Sequence, residues 1–180
     1  MAKKEYDLIV IGAGGAGSTA ATSAASMGKR VALIERDKLG GTCLNYGCDP
    51  TKTLLHTANL FYHAQHASAL GLRIPQAEAD WAAVQAHVRD VQEIIRGGTS
   101  EQARAGFASQ GVDLCIGETM FISSHEIRLS GETLHGERFI IATGTVPLIP
   151  DIEGLSELGY STNMEAVSLP ELSKRLLMGQ

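Results

Sequence analysis

The sequence of 180 residues is poor in cysteine and in aromatic side chains and has no excess of positive charge. Lys and Arg total 15 against 20 Asp and Glu, so the formal net charge is -5 and no basic surface is available for nucleic acid. Three cysteines fit a reducing compartment, in which disulfides are transient and catalytic rather than structural. We therefore expect a globular protein that binds no nucleic acid.

The apolar stretch near the N-terminus is too short for a secretory signal or a membrane span. It runs only from Leu8 to Ile11, whereas a membrane-spanning helix needs about 20 apolar residues. Glu5 and Asp7 also interrupt the change from basic to apolar residues that a signal peptide shows. We expect the protein to be soluble and cytoplasmic, with no membrane partner.

The first part of the chain has the order strand, helix, strand. A β-branched apolar run from Tyr6 to Ile11 ends at glycines, as a buried parallel strand does. An alanine-rich segment from Ser18 to Met27 predicts a helix, and Val31 to Ile34 predicts a second strand. This order indicates a βαβ unit.

Three glycines between the first strand and the helix have the spacing GxGxxG: Gly12, Gly14 and Gly17. The first permits a tight turn, the second lets backbone amides approach a pyrophosphate, and the third lets helix and strand pack closely. The helix N-terminus also favours anionic phosphates. Glu35, at the end of the second strand, is suited to accept hydrogen bonds from a ribose 2′-hydroxyl and to repel a 2′-phosphate. These residues predict a dinucleotide site that does not take NADP, with a structural turn as the alternative.

Two cysteines, Cys43 and Cys48, lie in the segment GGTCLNYGCDPTK. On a regular helix this spacing corresponds to a rise of about 7.5 Å, which exceeds the usual Cα separation of a disulfide. A bridge therefore needs a distorted turn, and Gly47 and Pro50 permit one. The helix macrodipole and Lys52 favour the thiolate of a cysteine near a helix N-terminus. The segment predicts a redox pair, with two unrelated thiols in a loop as the alternative.

This segment, Gly40 to Lys52, resembles the redox-active segment of the class I pyridine nucleotide-disulfide oxidoreductases, which include dihydrolipoamide dehydrogenase, glutathione reductase and mercuric reductase. The resemblance implies that the N-terminal βαβ unit binds the ADP part of FAD rather than NAD. It also implies that Cys48 lies over the isoalloxazine and that Cys43 faces the substrate. It extends over essentially the whole chain but covers only the front part of the family, so NAD(P)H, the electron donor, is expected to bind outside this chain.

The resemblance further implies which residues contact FAD. Gly41 and Thr42 approach the pyrophosphate, Lys52 lies beside the flavin ring, and the backbone from Gly117 to Thr119 meets the adenine. The segment from Ile140 to Pro150 resembles the family's ATG signature at a strand end, where ligands approach open parallel sheets. The predicted cofactor-binding residues are Gly12, Gly14, Gly17, Glu35, Arg36, Gly41, Thr42, Lys52, Thr119, Ala142, Thr143 and Gly144. The predicted catalytic residues are Cys43 and Cys48, and no metal ligands are assigned.

The middle of the chain predicts helices and then short strands. Asp80 is expected to cap a helix that continues to Gly97-Gly98, after which helical composition resumes, so one helix or two remain open. From Val112 onward the sequence is β-branched, and turns at Ser130-Gly131 and His135-Gly136 predict a small antiparallel meander. A short helical stretch that includes Leu169, Leu172 and Leu176 is expected between Asn163 and Gln180.

Other reactive side chains are expected to be structural. Cys115 lies in an apolar stretch and is interpreted as an inert buried thiol. His56, His63 and His66 lack a carboxylate in register, so they are interpreted as polar-face or capping residues rather than metal ligands.

Together these features predict an α/β fold, namely a Rossmann-like FAD-binding domain with a parallel sheet, flanking helices and a small antiparallel β-meander insertion. Residues 1–155 are predicted to form the N-terminal part of the FAD-binding domain. Residues 156–180 are predicted to be a linker towards an NAD(P)H-binding domain that this chain lacks.

The predicted function is that of an FAD-dependent disulfide oxidoreductase, which passes electrons from NAD(P)H through flavin to the Cys43–Cys48 disulfide and then to a disulfide or metal-ion substrate. The parent protein is expected to be a homodimeric enzyme of cell redox homeostasis. The alternative is an isolated, non-catalytic FAD- or dinucleotide-binding fragment, and the 180 residues alone are expected to be inactive. Asp49 and Thr51 depart from the residues usual in the family, so lipoamide, another disulfide and a metal ion all remain open as substrates.

Overall fold

Six strands form one sheet in the part of the chain that the computed structural model describes, residues 4–179. The strands are β1 Lys4–Ile11, β2 Val31–Glu35, β3 Val112–Ile116, β4 Thr119–Ser123, β5 Glu126–Leu129 and β6 Glu132–Ile141. The α-helices are α1 Gly15–Ser26, α2 Gly41–Tyr46, α3 Cys48–Gln65, α4 Trp81–Arg96, α5 Ser100–Ser109, α6 Leu155–Leu158 and α7 Asn163–Ala166, and a 3₁₀ helix spans Ala67–Leu70. No helix within residues 4–179 is long and apolar enough to cross a membrane.

The strand order is β3-β2-β1-β6-β5-β4. The first four strands in this order are parallel, and β6, β5 and β4 are joined antiparallel. The first four residues of β2, Val31 to Ile34, are buried because one apolar cluster lies on each face of that strand. The predicted α/β fold, with a mostly parallel sheet and flanking helices, is confirmed.

The predicted turn at His135-Gly136 is wrong, because β6 runs through it without interruption. Gly136 lies opposite Tyr6 of β1, and a Cβ atom at that glycine would approach the Cδ1 atom of Ile9 to 3.0 Å. The glycine therefore marks close packing inside a strand rather than a turn. β6 pairs with β1 and β5 at once, so the meander continues the parallel sheet. The turn at Ser130-Gly131 is confirmed, and both residues have positive φ, 47° and 90°.

Backbone conformation sets two other helix boundaries, the break between α4 and α5 and the end of α7. Gly97 and Gly98 have φ of 87° and 96°, and Thr99 begins α5 with a capping box, so the segment forms two helices. Near the C-terminus the helix ends at Ala166, and the expectation that it includes Leu169, Leu172 and Leu176 is wrong. Pro170 follows Leu169 directly, and proline disfavours a helical conformation in the residue before it.

The chain divides into two compact units. The first contains the described residues up to Asn45 together with Glu93–Val146, and so carries the whole sheet. The second contains Tyr46–Gln92 and the described residues from Pro147 onward. The predicted boundary between 1–155 and 156–180 concerns the architecture of the whole protein and stays a prediction.

Within the second unit, α4 binds the C-terminal segment through two side-chain N–H donors. Trp81 donates from Nε1 to the carbonyl oxygen of Leu169 at 2.9 Å, and Gln85 donates from Nε2 to that of Val167 at 3.3 Å. Gln85 and Val167 are both buried. These two hydrogen bonds hold the C-terminal segment on α4.

Candidate functional site

The glycine loop joins β1 to α1 at the carboxyl edge of the parallel strands. Gly12 has φ of 104°, and a Cβ atom there would collide with the carbonyl oxygen of Ala142. A Cβ atom at Gly17 would collide with the carbonyl oxygen of Gly12. The tight turn and the close helix–strand packing predicted for these two glycines are therefore present.

The N-terminus of α1 has features suited to an anion. Its N-cap residue is Gly14, which provides no side-chain cap, and its first turn contains no acidic residue. The first N–H groups of a helix have no intrahelical acceptor, and the helix dipole favours negative charge near them. This end of α1 therefore fits the phosphate-binding role predicted for the loop.

Glu35 lies at the end of β2 and holds the glycine loop directly. Its Oε2 accepts a hydrogen bond from the backbone N–H of Ala13 at 2.8 Å, and its Oε1 accepts one from that of Asp37 at 3.0 Å. Each carboxylate oxygen has further acceptor capacity, so a ribose hydroxyl is compatible with both contacts. The position beside the loop agrees with the sequence prediction, whereas the bond to Ala13 has no signal in the sequence.

A second glycine turn packs against the first. Gly40 and Gly41 have φ of 98° and 61°, and the N–H of Gly40 donates to the carbonyl oxygen of Ala13 at 3.0 Å. A Cβ atom at Gly41 would lie 2.8 Å from the Cα atom of Gly14. Because no side chain stands between the two turns, their backbone groups form one cradle. Gly41 therefore lies beside the first glycine loop, and its approach to a pyrophosphate stays a prediction.

The end of β6 completes this cluster. The N–H of Ala142 donates to the carbonyl oxygen of Ile11 at 2.8 Å, which extends the pairing of β1 and β6 to their carboxyl ends. Gly144 follows with φ of 69°, and Thr143 and Gly144 are exposed. The predicted residues Ala142, Thr143 and Gly144 thus follow β6 at the same sheet edge as Gly12.

Four predicted cofactor residues lie outside this packed cluster. Arg36 and Thr42 are exposed and follow Glu35 and Gly41 along the chain. Thr119 is in β4 and donates from Oγ1 to the carbonyl oxygen of Arg128 at 3.0 Å. Lys52 is exposed on α3 in the second unit. Their predicted contacts with a cofactor stay predictions.

The two cysteines occupy the first turns of successive helices. Cys43 is in α2 and Cys48 is the first residue of α3, and both are exposed. Gly47 separates the helices with φ of -135° and ψ of -107°. The irregular turn that the spacing required is therefore present at Gly47, and the redox pairing itself stays a prediction.

Asn45 is a buried residue of the redox segment that sequence reasoning did not assign. Its Nδ2 donates to the carbonyl oxygens of Leu39 at 3.0 Å and Gly41 at 2.9 Å, and its Oδ1 accepts from Nη2 of Arg96 at 3.2 Å. No pattern in the sequence marks this contact, because Arg96 is 51 residues away from Asn45.

A cavity of about 570 Å³ lies in the first unit beside the ends of β2 and β3. Its volume is in the usual range for small-molecule sites, about 300–1,000 Å³. Its lining combines apolar side chains with three basic and two acidic ones. The lining residues are Asp37, Lys38, Leu39, Arg96, Ser100, Glu101, Arg104, Leu114 and Ile116.

Cys115 has the properties of an inert thiol. Burial raises the pKa of the Cys115 thiol, and the nearby Asp113 carboxylate acts in the same direction. A raised pKa lowers the fraction of thiolate, which is the nucleophilic form. Cys115 is half-buried rather than fully buried, and the interpretation that its thiol is inert is supported. Among residues 4–179, no group of three metal-ligating side chains is placed to hold an ion.

The parallel sheet, the two packed glycine turns and Glu35 at the end of β2 together give the chain a Rossmann-like α/β fold. Residues 6–178 match the model of the family described as "Pyridine nucleotide-disulphide oxidoreductase". The chain belongs to the pyridine nucleotide-disulphide oxidoreductase family, and the resemblance stated from the sequence is confirmed. This is a family of oxidoreductases that use flavin and NAD(P)H.

Among curated proteins, the chain is similar to mercuric reductase of Staphylococcus aureus, with 36% identity over 172 residues that cover 96% of the chain and 31% of the relative. It is also similar to dihydrolipoyl dehydrogenase of Acholeplasma laidlawii, with 34% identity over 155 residues that cover 86% of the chain and 45% of the relative. The chain therefore spans less than half the length of these relatives.

Among solved structures, the chain is similar to the Cu(II) complex of a mutant HOCl-induced flavoprotein disulfide reductase from Escherichia coli. The TM-score is 0.74 at 29% sequence identity, and the match covers 94% of this chain and 35% of the other. The described fold is thus one that a flavoprotein disulfide reductase also has.

Proposed function

We propose that the whole protein is an FAD-dependent disulfide oxidoreductase, and that this chain supplies its FAD-binding region and its redox-active pair, Cys43 and Cys48. The observation that carries the proposal is the packing of the Gly40–Gly41 turn against Gly14, directly before the first cysteine. This packing joins a phosphate cradle to a redox segment in one continuous stretch of chain.

The residues present fit FAD. The glycine cradle would receive the pyrophosphate at the N-terminus of α1, because a side chain at Gly12 or Gly41 would collide with neighbouring backbone. Glu35 would bind the ribose. Thr119 lies in the segment predicted to meet the adenine, and Arg36 is a further predicted contact of the cofactor. Thr42 and the Ala142–Gly144 segment would complete the site within the first unit, and Lys52 stays a predicted flavin contact.

When bound, FAD supplies two-electron transfer from NAD(P)H, whose own site we place outside this chain. The cysteines carry out the thiol chemistry. The Cys43 thiolate attacks one sulfur of a substrate disulfide, releases the other half as a thiol and forms a mixed disulfide. Cys48 then attacks the Cys43 sulfur, releases the second thiol and leaves the Cys43–Cys48 disulfide. Two electrons and two protons return this disulfide to thiols.

The substrate class divides between small-molecule disulfides and metal ions. The relative named mercuric reductase supports a metal ion that the two thiolates bind, and the relative named dihydrolipoyl dehydrogenase supports a lipoyl-type dithiol or disulfide. We expect the whole protein to be a cytoplasmic homodimer.

The test is NAD(P)H-dependent reduction of a disulfide by the FAD-loaded whole protein, with Cys43→Ser and Cys48→Ser as matched variants. Loss of turnover in both variants, with FAD still bound, is the expected result. The alternative is that the chain is a non-catalytic FAD-binding fragment of a protein whose thiols never turn over. Unchanged activity in either variant would favour that alternative.

A further inference from the structure

Asn45 uses both ends of its amide and is only 7% exposed. Its NH₂ group donates to two carbonyl oxygens, those of Leu39 and Gly41, and its Oδ1 accepts from the guanidinium of Arg96. Such a buried amide is restrained in both position and orientation, because any rotation would leave a buried polar group without its partner.

The two carbonyl groups bracket the Gly40–Gly41 turn. This turn has positive φ at both glycines and packs against Gly14. Glycine gives the backbone freedom to leave such a conformation as well as to adopt it. The hydrogen bonds from Asn45 to residues on either side of Gly40 therefore restrict the turn to the shape that fits the first glycine loop.

Arg96 determines the orientation of the Asn45 amide. A guanidinium has only donors, so it pairs with the Oδ1 of Asn45 and directs the NH₂ group towards the two carbonyls. Arg96 is the last residue of α4 and precedes two glycines of positive φ. The end of α4 thus acts on the phosphate cradle through a charge-assisted hydrogen bond.

We propose that Arg96 and Asn45 are positioning residues that hold the Gly40–Gly41 turn in the geometry required to bind the FAD pyrophosphate. The proposal rests on the proposed function for its ligand. Arg96 is placed to act on the cradle through its hydrogen bond to Asn45.

The test uses four variants of the whole protein. Arg96→Met removes the donor and keeps much of the side chain, and Arg96→Lys restores a positive donor. Asn45→Asp keeps the acceptor for Arg96 and loses the donors to the carbonyls. Arg89→Met, on an exposed position of the same helix, is the control for the change in charge.

Two quantities are measured for each variant: the hydrogen-exchange rate of the Gly40 backbone amide, which donates to Ala13, and the FAD dissociation constant. We expect Arg96→Met and Asn45→Asp to raise both by about tenfold or more, the effect of losing one hydrogen bond to a charged or buried group. Arg96→Lys should recover part of both effects, and Arg89→Met should match the wild type.

Equal values for Arg96→Met and Arg89→Met in both measurements would overturn the proposal. So would a failure of Arg96→Lys to recover either quantity, because loss of packing alone would then explain the result. If neither the variants nor the wild-type whole protein binds FAD, the proposed function fails, and faster exchange in Arg96→Met than in Arg89→Met still supports the role of the pair in fixing the turn.

Discussion

Replacement of Gly41 by alanine should destabilise the chain and weaken FAD binding together. The backbone at Gly41 has φ of 61°, a region that costs a residue with a Cβ atom about 1–2 kcal/mol. The new Cβ atom would also lie 2.8 Å from the Cα atom of Gly14, well inside the optimal carbon–carbon separation of about 3.5–4.0 Å. Overpacking of this kind costs about 1–3 kcal/mol.

Gly28→Ala separates these two contributions. Gly28 is also in the first unit and has φ of 79°, but a Cβ atom there meets no atom within 4 Å. Gly28→Ala should therefore lower the free energy of unfolding only by the cost of placing a Cβ atom at positive φ, about 1–2 kcal/mol. Gly41→Ala should be less stable than Gly28→Ala by about 1–3 kcal/mol, because only its Cβ atom is forced against a neighbouring residue.

The assay is urea unfolding of both variants, followed by FAD titration of the folded proteins. Gly41→Ala should raise the FAD dissociation constant by about tenfold or more, because moving the two turns apart removes phosphate-binding N–H groups, each worth about 1.4 kcal/mol or more. Gly28→Ala should leave it unchanged. Equal stability loss in the two variants, with equal FAD affinity, would refute the assignment of a close-packed glycine cradle.

Three further predictions concern the scaffold. Tyr6→Phe removes the hydrogen bond from the Tyr6 hydroxyl to the Asp113 carboxylate and should lower the free energy of unfolding by about 1.5–3 kcal/mol in urea denaturation. Burial and the Asp113 carboxylate raise the pKa of Tyr6. The hydroxyl therefore stabilises the fold fully below the ordinary tyrosine pKa of about 10, and this stabilisation is lost as pH rises above that value. Above about pH 10, the urea midpoint of the wild type should fall more steeply than that of Tyr6→Phe. Thr99→Ala removes the N-cap of α5 and should cost about 1 kcal/mol in the same assay, whereas no measurable loss would contradict the capping box. Trp81→Phe removes the indole donor to Leu169 and should increase proteolysis of the C-terminal segment, which an unchanged cleavage rate would contradict.

The βαβ unit, its glycines and the position of Glu35 could be predicted from the sequence because each depends on neighbours close along the chain. An apolar run, a glycine spacing and an acidic strand end are local patterns, and the chain between them is short. Local patterns alone do not specify the cofactor. The prediction of FAD came from the resemblance of the segment Gly40 to Lys52 to a known redox segment.

Other features depend on contacts between distant residues and could not be predicted. Gly136 has the composition of a turn, but the side chain of Ile9 fills the space above it in a continuous strand. The bond between Arg96 and Asn45 joins a helix end to a loop with no pattern in between. In each case the partner that decides the structure is remote in sequence.

The most direct test of the central claim is differential alkylation of Cys43 and Cys48 in the FAD-loaded whole protein, measured by mass spectrometry. The account predicts that neither cysteine is labelled in the oxidised protein and that both are labelled after addition of NAD(P)H, at the cost of one NAD(P)H per protein. Equal labelling before and after NAD(P)H, in protein that retains FAD, would contradict the assignment of these two residues as the redox-active pair.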